Sequence, residues 1–197
     1  MFSIKKEKEI KLTIEKSKFF GLCFFCDSVQ KQNEIIKQVK RKNLNATHIC
    51  FGSLFFDGKN ELSYSSDDGE PSGTAGPQIA NALKENKVIN TLVIVVRYFG
   101  GIKLGVGGLC RAYKDTTLET LKNNLYEVTL KTQCKVCCTY SLYDYLKKYL
   151  DENNIKTEQI QFNNDVEFIC YLSDEEIEFL NKADAMVDVS KNLKKYC

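Results

Sequence analysis

Residues 66–76 read SDDGEPSGTAG, residues 97–113 read RYFGGIKLGVGGLCRAY, and together these two segments hold most of the chain's glycines. Glycine is used where the backbone turns sharply or approaches another group closely. Between the segments lies the apolar run TLVIVV, residues 91–96, which is typical of a central strand covered on both faces. Ligands of open α/β sheets gather outside the carboxyl ends of strands, which is where Arg97 follows this run. We therefore predict that the two segments form the functional site.

The composition indicates an ordinary globular protein. The chain has 197 residues, of which 43% are hydrophobic and 27% are charged. This length suits one large domain or two small ones. No apolar run approaches the ~20 residues of a membrane-spanning helix, and the N-terminus lacks the apolar centre of a signal peptide. We expect a cytoplasmic protein without a membrane partner.

Nine cysteines raise the question of zinc or disulfides. Cys23 and Cys26 form one C-x-x-C pair, and Cys134 and Cys137 form another. The two pairs of a zinc ribbon stand ~15–20 residues apart, whereas these lie in different halves of the chain. The odd number and the missing secretory signal argue against a disulfide framework. We interpret these cysteines as small buried apolar residues and predict no metal site among them.

The net charge of +2 is unevenly distributed. Residues 1–126 carry 19 Lys and Arg against 13 Asp and Glu, a balance of +6, whereas residues 127–197 carry 9 against 13, a balance of −4. A polyanion is therefore expected to meet the first part of the chain. Neither part has the basic excess of a dedicated DNA-binding domain, so we expect modest, salt-sensitive binding and no DNA sequence specificity.

Hydrophobic periodicity predicts two domains, residues 1–125 and 126–197. In the second, strands and helices alternate as βαββαβ, the ferredoxin-like arrangement, with a capping box formed by Ser173 and Glu176. In the first, Asp27 or Ser28 is expected to cap a helix, and Gly21 is a candidate β-bulge. The predicted strands are 9–16, 18–26, 47–56, 91–96, 126–140, 155–162, 166–172 and 186–189, and the helices include 77–83, 109–124 and 142–152.

The two glycine-rich segments resemble the hallmark segments of the YigZ/IMPACT family almost without gaps. EKSKFFG at residues 15–21 and ATH at residues 46–48 resemble lesser motifs of that family. The resemblance covers roughly residues 10–125. One departure is that Pro77 follows Gly76 directly, where many members place a residue between.

The resemblance implies an α+β protein with a specific architecture. Its first part would be an α/β domain similar to the second domain of a small-subunit ribosomal protein and to GHMP kinases. Its second part would be similar to domain V of elongation factor G. Eukaryotic members regulate translation by competing for an activator of the starvation-sensing initiation-factor kinase, and bacterial members have no settled biochemical role.

Residues 105–108 lead into a predicted helix and are candidates for binding an anion. The free N–H groups and positive dipole end of such a helix hold an anion without special side chains. Gly105, Gly107 and Gly108 would form the cradle, and the surrounding cations complete the candidate set for RNA or another anion: Arg97, Lys103 and Arg111. The alternatives are that the glycines only permit a tight turn, and that Arg111 pairs with Asp115 one turn later.

The carboxylates Asp67, Asp68 and Glu70 allow two interpretations. They could hold Mg²⁺ beside a phosphate, or act as acid–base groups, since this ion binds a few carboxylates together with substrate oxygens. They could instead belong to a turn, in which Asp67 or Asp68 pairs with Arg97 or Lys103. We favour the turn. Two hydroxyls in the same segment, Ser72 and Thr74, are candidates for binding an anion or for capping the helix that starts at Pro77.

His48 is the only histidine, so any imidazole chemistry depends on it. Cys50 lies two residues later on the same side of a predicted strand, at ~6.5–7 Å, too far for the hydrogen bond of a nucleophile–base pair. We favour a structural His48 bonded to a carboxylate such as Asp68.

Three functions follow from these patterns. The first is a regulatory binding protein of the translation apparatus, without a cofactor, whose cationic groove takes RNA, the ribosome or a translation-factor protein. The second is a magnesium-dependent enzyme acting on a nucleotide or phosphorylated small molecule. The third is an interaction module in which the glycine-rich segments are architectural. We favour the first, and the question of catalysis stays open.

Overall fold

A computed structural model describes residues 1–196, apart from the side chains of residues 190–192. The chain is a mixed α+β protein that divides into two units, Met1–Val128 and a second unit from Thr129 onward. The elements of the first unit are β1 (Phe2–Ile4), β2 (Lys8–Ile14), β3 (Ser17–Phe25), α1 (Val29–Lys42), β4 (His48–Phe56), β5 (Glu61–Ser66), α2 (Gly76–Glu85), β6 (Thr91–Tyr98), α3 (Gly105–Leu121) and β7 (Leu125–Glu127). Those of the second unit are β8 (Leu130–Cys138), α4 (Tyr140–Glu152), β9 (Thr157–Phe162), β10 (Val166–Leu172), α5 (Asp174–Lys182) and β11 (Met186–Tyr196).

The first unit is built on a five-stranded sheet with β6 at its centre. The strand order is β2-β3-β6-β4-β5, and every pairing is antiparallel. Residues 91–97 of β6 are all buried, which confirms the prediction of a central, doubly covered strand. The analogy with the carboxyl ends of open α/β sheets is wrong, because such sheets are mostly parallel. Arg97 nevertheless stands near the end of β6, beside the start of the glycine-rich segment.

Helices cover both faces of this sheet. On one face α2 packs on β4, and α3 packs on β3 and on α2. On the other face Val39 of α1 joins a core cluster with Ile49, Ile94 and Val96. The predicted cap of α1 is confirmed at Ser28, whose side chain accepts the N–H of Lys31.

Gly21 is required by packing rather than by a bulge. The pairing of β2 with β3 runs through Gly21 without a shift in register, so the predicted bulge is wrong. A Cβ at this position would lie 2.1 Å from Oγ1 of Thr120 and 3.2 Å from the carbonyl oxygen of Thr116. The missing side chain therefore allows α3 to approach β3 closely.

Helix α3 begins four positions earlier than its sequence predicts. The predicted start was Leu109, but the helix begins at Gly105, so Gly107 and Gly108 belong to its first turn rather than to a loop. Gly105 itself has a φ of +67°, a left-handed conformation that favours glycine. Glycine lowers helix propensity, which is why the apolar periodicity alone placed the start too late.

The second unit has the predicted βαββαβ order, and its antiparallel strands run β11-β8-β10-β9. The predicted strand 126–140 is interrupted, because β7 pairs with β1 in the first unit and only β8 belongs to the second. The division therefore falls after Val128, whereas the sequence placed it after residue 125. The strand predicted at 186–189 continues to Tyr196. The capping box of Ser173 and Glu176 is confirmed.

Most of the cysteines that the structure describes are buried, as a small apolar role requires. Cys23, Cys26, Cys134, Cys138 and Cys170 lie in the interior, whereas Cys137 is half-buried. Within residues 1–196, no group of three or more His, Cys, Asp or Glu side chains is arranged to hold a metal ion. In the same range, no helix has the length and apolar character needed to cross a bilayer.

Candidate anion-binding cleft

A cleft of about 460 Å³ lies where β4, β6, the Ser66–Gly76 connection and the start of α3 meet. The two glycine-rich segments do come together, since each contributes to its lining. Apolar side chains form most of this lining, and the polar groups are concentrated at the floor and at the first turn of α3. The lining residues are Thr47, His48, Glu70, Pro71, Arg97, Phe99, Lys103, Leu104, Gly105, Val106 and Leu109.

The floor of the cleft is a buried ion pair between Glu70 and Arg97. Nη1 of Arg97 donates to Oε1 of Glu70 at 2.6 Å, and the two side chains are 6% and 3% exposed. The hydroxyl of Tyr113, which projects from α3, donates to the same oxygen at 2.7 Å. Burial, reinforced by Cys50 and Glu70, raises the pKa of Tyr113 above its ordinary value, so this hydroxyl stays protonated and remains a donor. Charge and hydrogen bonding therefore tie β6, α3 and the carboxylate segment together.

Arg97 is not the free cation that the sequence suggested. Its charge is balanced by Glu70 rather than by Asp67 or Asp68. Its guanidinium carbon lies 5.4 Å from the ring centre of Phe19 and 5.6 Å from that of Phe99. Its buried Nε has no hydrogen-bond partner among the described atoms. Arg97 thus belongs to the floor of the cleft as part of a pair, with one donor unused.

Asp67 and Asp68 stabilise the turn, as the favoured interpretation predicted, although with different partners. Oδ1 of Asp67 accepts the N–H groups of Ala75 and Gly76 at 2.9 Å each and thereby caps the start of α2. Its Oδ2 accepts the N–H of Gly73 at 2.8 Å. Asp68 accepts the N–H of Ile49 and pairs with Lys40, each at 2.7 Å, and not with Arg97 or Lys103. With Oε1 of Glu70 held by Arg97, each of these three carboxylates has at least one oxygen engaged in an internal bond.

The two hydroxyls of this segment do not take the roles considered for them. Thr74 is buried, and its hydroxyl donates to the carbonyl of Pro71 at 2.7 Å, which closes the turn. The N-cap of α2 is Ala75, with no side-chain capping bond of its own. Ser72 is exposed and does not line the cleft.

His48 and Cys50 are held by different partners. Nδ1 of His48 lies 2.9 Å from the backbone carbonyl oxygen of Asp68, so the ring is bonded to that residue's backbone rather than to its carboxylate. The thiol of Cys50 donates to the carbonyl of Asp67 at 2.9 Å. Burial raises the pKa of Cys50 to about 12, which leaves the thiol neutral and unreactive at neutral pH. A Cys–His nucleophile is absent from this site.

The first turn of α3 brings the positive end of a helix dipole to one wall of the cleft. Its N-cap is Leu104, which makes no side-chain capping bond, so the first N–H groups of the helix keep their positive end of the dipole. Lys103 is exposed next to them, and no acidic partner for it lies in the described part of the chain. Arg111 is also exposed, but it does not line the cleft, and its guanidinium lies 3.8 Å from the position that a Cβ on Gly107 would occupy. Arg111 therefore lies along the outer side of the helix.

Several lining residues were not singled out from the sequence. Phe99 follows β6 and is 47% exposed, and Val106 is 65% exposed. The sequence did carry one signal for Phe99, since it stands directly before Gly100 and Gly101. A large apolar side chain in such a tight turn cannot bury itself and is expected to be exposed. Pro71, Leu104 and Leu109 offered no comparable signal, since isolated apolar residues occur throughout the sequence.

Comparison with known proteins agrees with this architecture and with the resemblance of the two segments. The family model of the Impact N-terminal domain matches residues 15–121, and a second model, a domain of unknown function (DUF1949), matches residues 136–183. The IMPACT family member YvyE of Bacillus subtilis is 35% identical over 177 residues, which cover 89% of this chain and 81% of that protein.

An IMPACT family member of Haemophilus influenzae is 30% identical over 167 residues, covering 84% of this chain and 81% of that protein. A crystal structure of a hypothetical protein shares the fold, with a TM-score of 0.67 at 22% identity, and the match covers 96% of this chain and 97% of that one. The first of the two family models spans more than half of the chain, and the relatives match along most of their own length. The chain therefore belongs to the IMPACT family.

Proposed function

We propose that this chain is a regulatory binding protein associated with translation, and that it holds an anionic group of its partner in the cleft at the start of α3. Membership of the IMPACT family supports the regulatory class, because the eukaryotic members that the resemblance invokes regulate translation. The partner is the RNA of the ribosome or a translation-factor protein. The protein would act in the cytoplasm.

One observation carries the anion-binding part of this proposal. The first turn of α3 faces the cleft without a side-chain cap, and Lys103 stands beside it without an acidic partner among the described residues. A helix start of this kind stabilises a negative charge by ~0.3–1 kcal/mol when it is exposed, and by more when it is partly buried. The cleft offers fewer free cations than the sequence implied, because Arg97 is neutralised by Glu70 and Arg111 lies outside the cleft.

The magnesium-dependent enzyme loses its main support. The alternative required Asp67, Asp68 and Glu70 to be free for a metal ion, and each of them is bonded to backbone amides or to a cation instead. The donor set that remains at the cleft is one carboxylate oxygen and one imidazole nitrogen, which Mg²⁺ does not favour. We therefore do not propose a magnesium site.

Co-sedimentation with ribosomes tests the proposed function. Tagged protein in lysate is centrifuged through sucrose gradients before and after nuclease treatment, and the fraction in the ribosomal peaks is measured. We expect co-sedimentation that decreases at high salt and decreases severalfold in the variant Lys103→Ala. The matched control, Lys37→Ala, removes the same charge from an exposed position outside the cleft.

The outcomes separate the alternatives. Loss after nuclease identifies RNA as the partner, and persistence identifies a protein. Equal loss in Lys103→Ala and in Lys37→Ala would show that net charge alone, and not the cleft, causes the association. Absence of the protein from ribosomal fractions under all salt conditions would contradict the role in translation.

A further inference from the structure

We propose that the cleft binds a ribonucleoside phosphate, with its phosphate at the first turn of α3, its ribose 2′,3′-diol on the floor and its base against Phe99. This inference names the ligand class of the proposed anion site and rests on that site. It is carried by a juxtaposition of two features in one cleft. Unused hydrogen-bond acceptors lie at the floor, and an uncapped positive helix start lies at the wall.

The floor offers two acceptor atoms that the protein leaves unused. Oε1 of Glu70 accepts hydrogen bonds from both Arg97 and Tyr113. Oε2 of Glu70 has no hydrogen-bond donor among the described residues and lies 3.8 Å from Nε2 of His48. Nδ1 of His48 faces the carbonyl oxygen of Asp68, which can only accept, so Nδ1 carries the ring proton. In the neutral ring, Nε2 is consequently an acceptor. Two acceptors thus stand side by side at 3.8 Å.

A vicinal diol is the donor group that matches this pair. The two hydroxyls of a ribose sit on neighbouring carbons, so one can donate to Oε2 of Glu70 while the other donates to Nε2 of His48. An ammonium group would also donate, but it would bring a second cation close to Arg97, whose charge already balances Glu70. A neutral diol avoids this repulsion. Carboxylates that accept ribose hydroxyls while a helix start binds the phosphate are a recurring arrangement in nucleotide sites.

The opposite wall supplies the phosphate site. Gly105 and Val106 line the cleft in the first turn of a 17-residue helix, next to Lys103. N–H groups at a helix start bind phosphate directly, and the flanking ammonium adds a charge. The Arg97 side chain lines the same cleft, and its buried Nε has no hydrogen-bond partner among the described atoms.

The remaining wall suits a planar base. Phe99 is 47% exposed, and the guanidinium of Arg97 lies 5.6 Å from its ring centre on one side. The exposed part of the ring can stack on a base, and such stacking is tolerant of base identity. The volume of about 460 Å³ lies within the range of small-molecule sites.

Binding of adenosine 5′-monophosphate, measured by calorimetry on the purified full chain, tests the assignment. The comparison ligands are its 2′-deoxy and 3′-deoxy analogues and inorganic phosphate. We expect each deoxy analogue to bind about tenfold more weakly, because it leaves one acceptor of the floor unpaired. Lys103→Ala should weaken all three nucleotides alike, whereas the exposed control Lys37→Ala should change none of them. Phe99→Ala should weaken the nucleotides but not phosphate.

A hexaribonucleotide distinguishes the two sources of this chemistry. If the oligomer with a free 3′ end binds more tightly than the monophosphate, and a 3′-phosphorylated oligomer does not, the ligand is the end of an RNA strand. If the monophosphate binds at least as tightly, the ligand is a free nucleotide. Either result supports the assignment, because both depend on the diol.

Other outcomes overturn it. Equal affinity for ribose and deoxyribose forms, phosphate binding as tight as nucleotide binding, or no binding of any nucleotide at millimolar concentration would each remove the nucleotide site. These results leave the ribosome association of the intact protein standing, because that association is measured separately. Conversely, diol-dependent binding without ribosome association would keep this site and remove the role in translation.

Discussion

Replacing Arg97 by methionine should destabilise the first unit rather than merely weaken a partner complex. The guanidinium of Arg97 is 2.6 Å from Glu70, and both side chains are nearly inaccessible. Methionine has a comparable length and fills much of the same space, so the main change is the loss of the positive charge. Glu70 is then buried without its counter-charge. Breaking a buried pair by removing one partner costs about 3–5 kcal/mol, which raises the unfolded population by about two to four powers of ten.

The matched second change is Glu70→Gln in the same chain. An amide keeps an acceptor for Tyr113 but carries no charge, so the double variant should recover more than half of the lost free energy of unfolding. Lys103→Met is the control, since this lysine is exposed and should change stability by less than about 0.5 kcal/mol. Hydrogen exchange of the β6 amides, together with urea unfolding, measures the stability of the first unit separately from that of the second.

The result that would refute the reasoning is specific. If Arg97→Met lowers the free energy of unfolding by less than about 1 kcal/mol, the Arg97–Glu70 pair contributes no more than an ordinary surface ion pair. Failure of Glu70→Gln to restore stability would show that the cost arises from packing and not from the uncompensated charge.

Three further variants test other parts of the fold. Asp67→Ala should lower the free energy of unfolding, measured in urea, by at least about 2 kcal/mol, because the carboxylate accepts three backbone N–H groups. A loss equal to that of the exposed control Asp115→Ala would contradict the capping role. Gly21→Ala should lower the free energy of unfolding by about 1–3 kcal/mol, because the new Cβ would lie 2.1 Å from a side-chain atom of α3. The control Gly107→Ala should leave stability unchanged or raise it. Similar effects at both positions would be inconsistent with close packing at Gly21. Burial raises the pKa of Cys50 from its ordinary value of 9.0 to about 12, so its contribution to stability is complete below about pH 9 and is lost as the pH rises toward 12. The urea midpoint should fall over that range and fall less in Cys50→Ala, and identical profiles for the two proteins would contradict the assignment.

Local patterns in the sequence determined most of the secondary structure. The apolar run of β6, the Ser28 cap of α1, the βαββαβ order of the second unit and its capping box each follow from interactions within a few residues. The two glycine-rich segments also identified the location of the cleft, because unusual backbone is concentrated where segments must meet closely. The sequence also shows that the cations Arg97, Lys103 and Arg111 lie close together along the chain.

Only the tertiary structure decided which charges are available to a ligand. Glu70 lies 27 positions from Arg97 in sequence, yet the pair is buried and closed in the fold. Lys103 is exposed and lines the cleft, whereas Arg111 is exposed on α3 but does not line it. The close approach of α3 to β3 at Gly21 depends in the same way on long-range packing, which local periodicity does not encode. A side chain's charge is written in the sequence, but whether that charge is neutralised depends on which distant residues the fold brings within hydrogen-bonding distance.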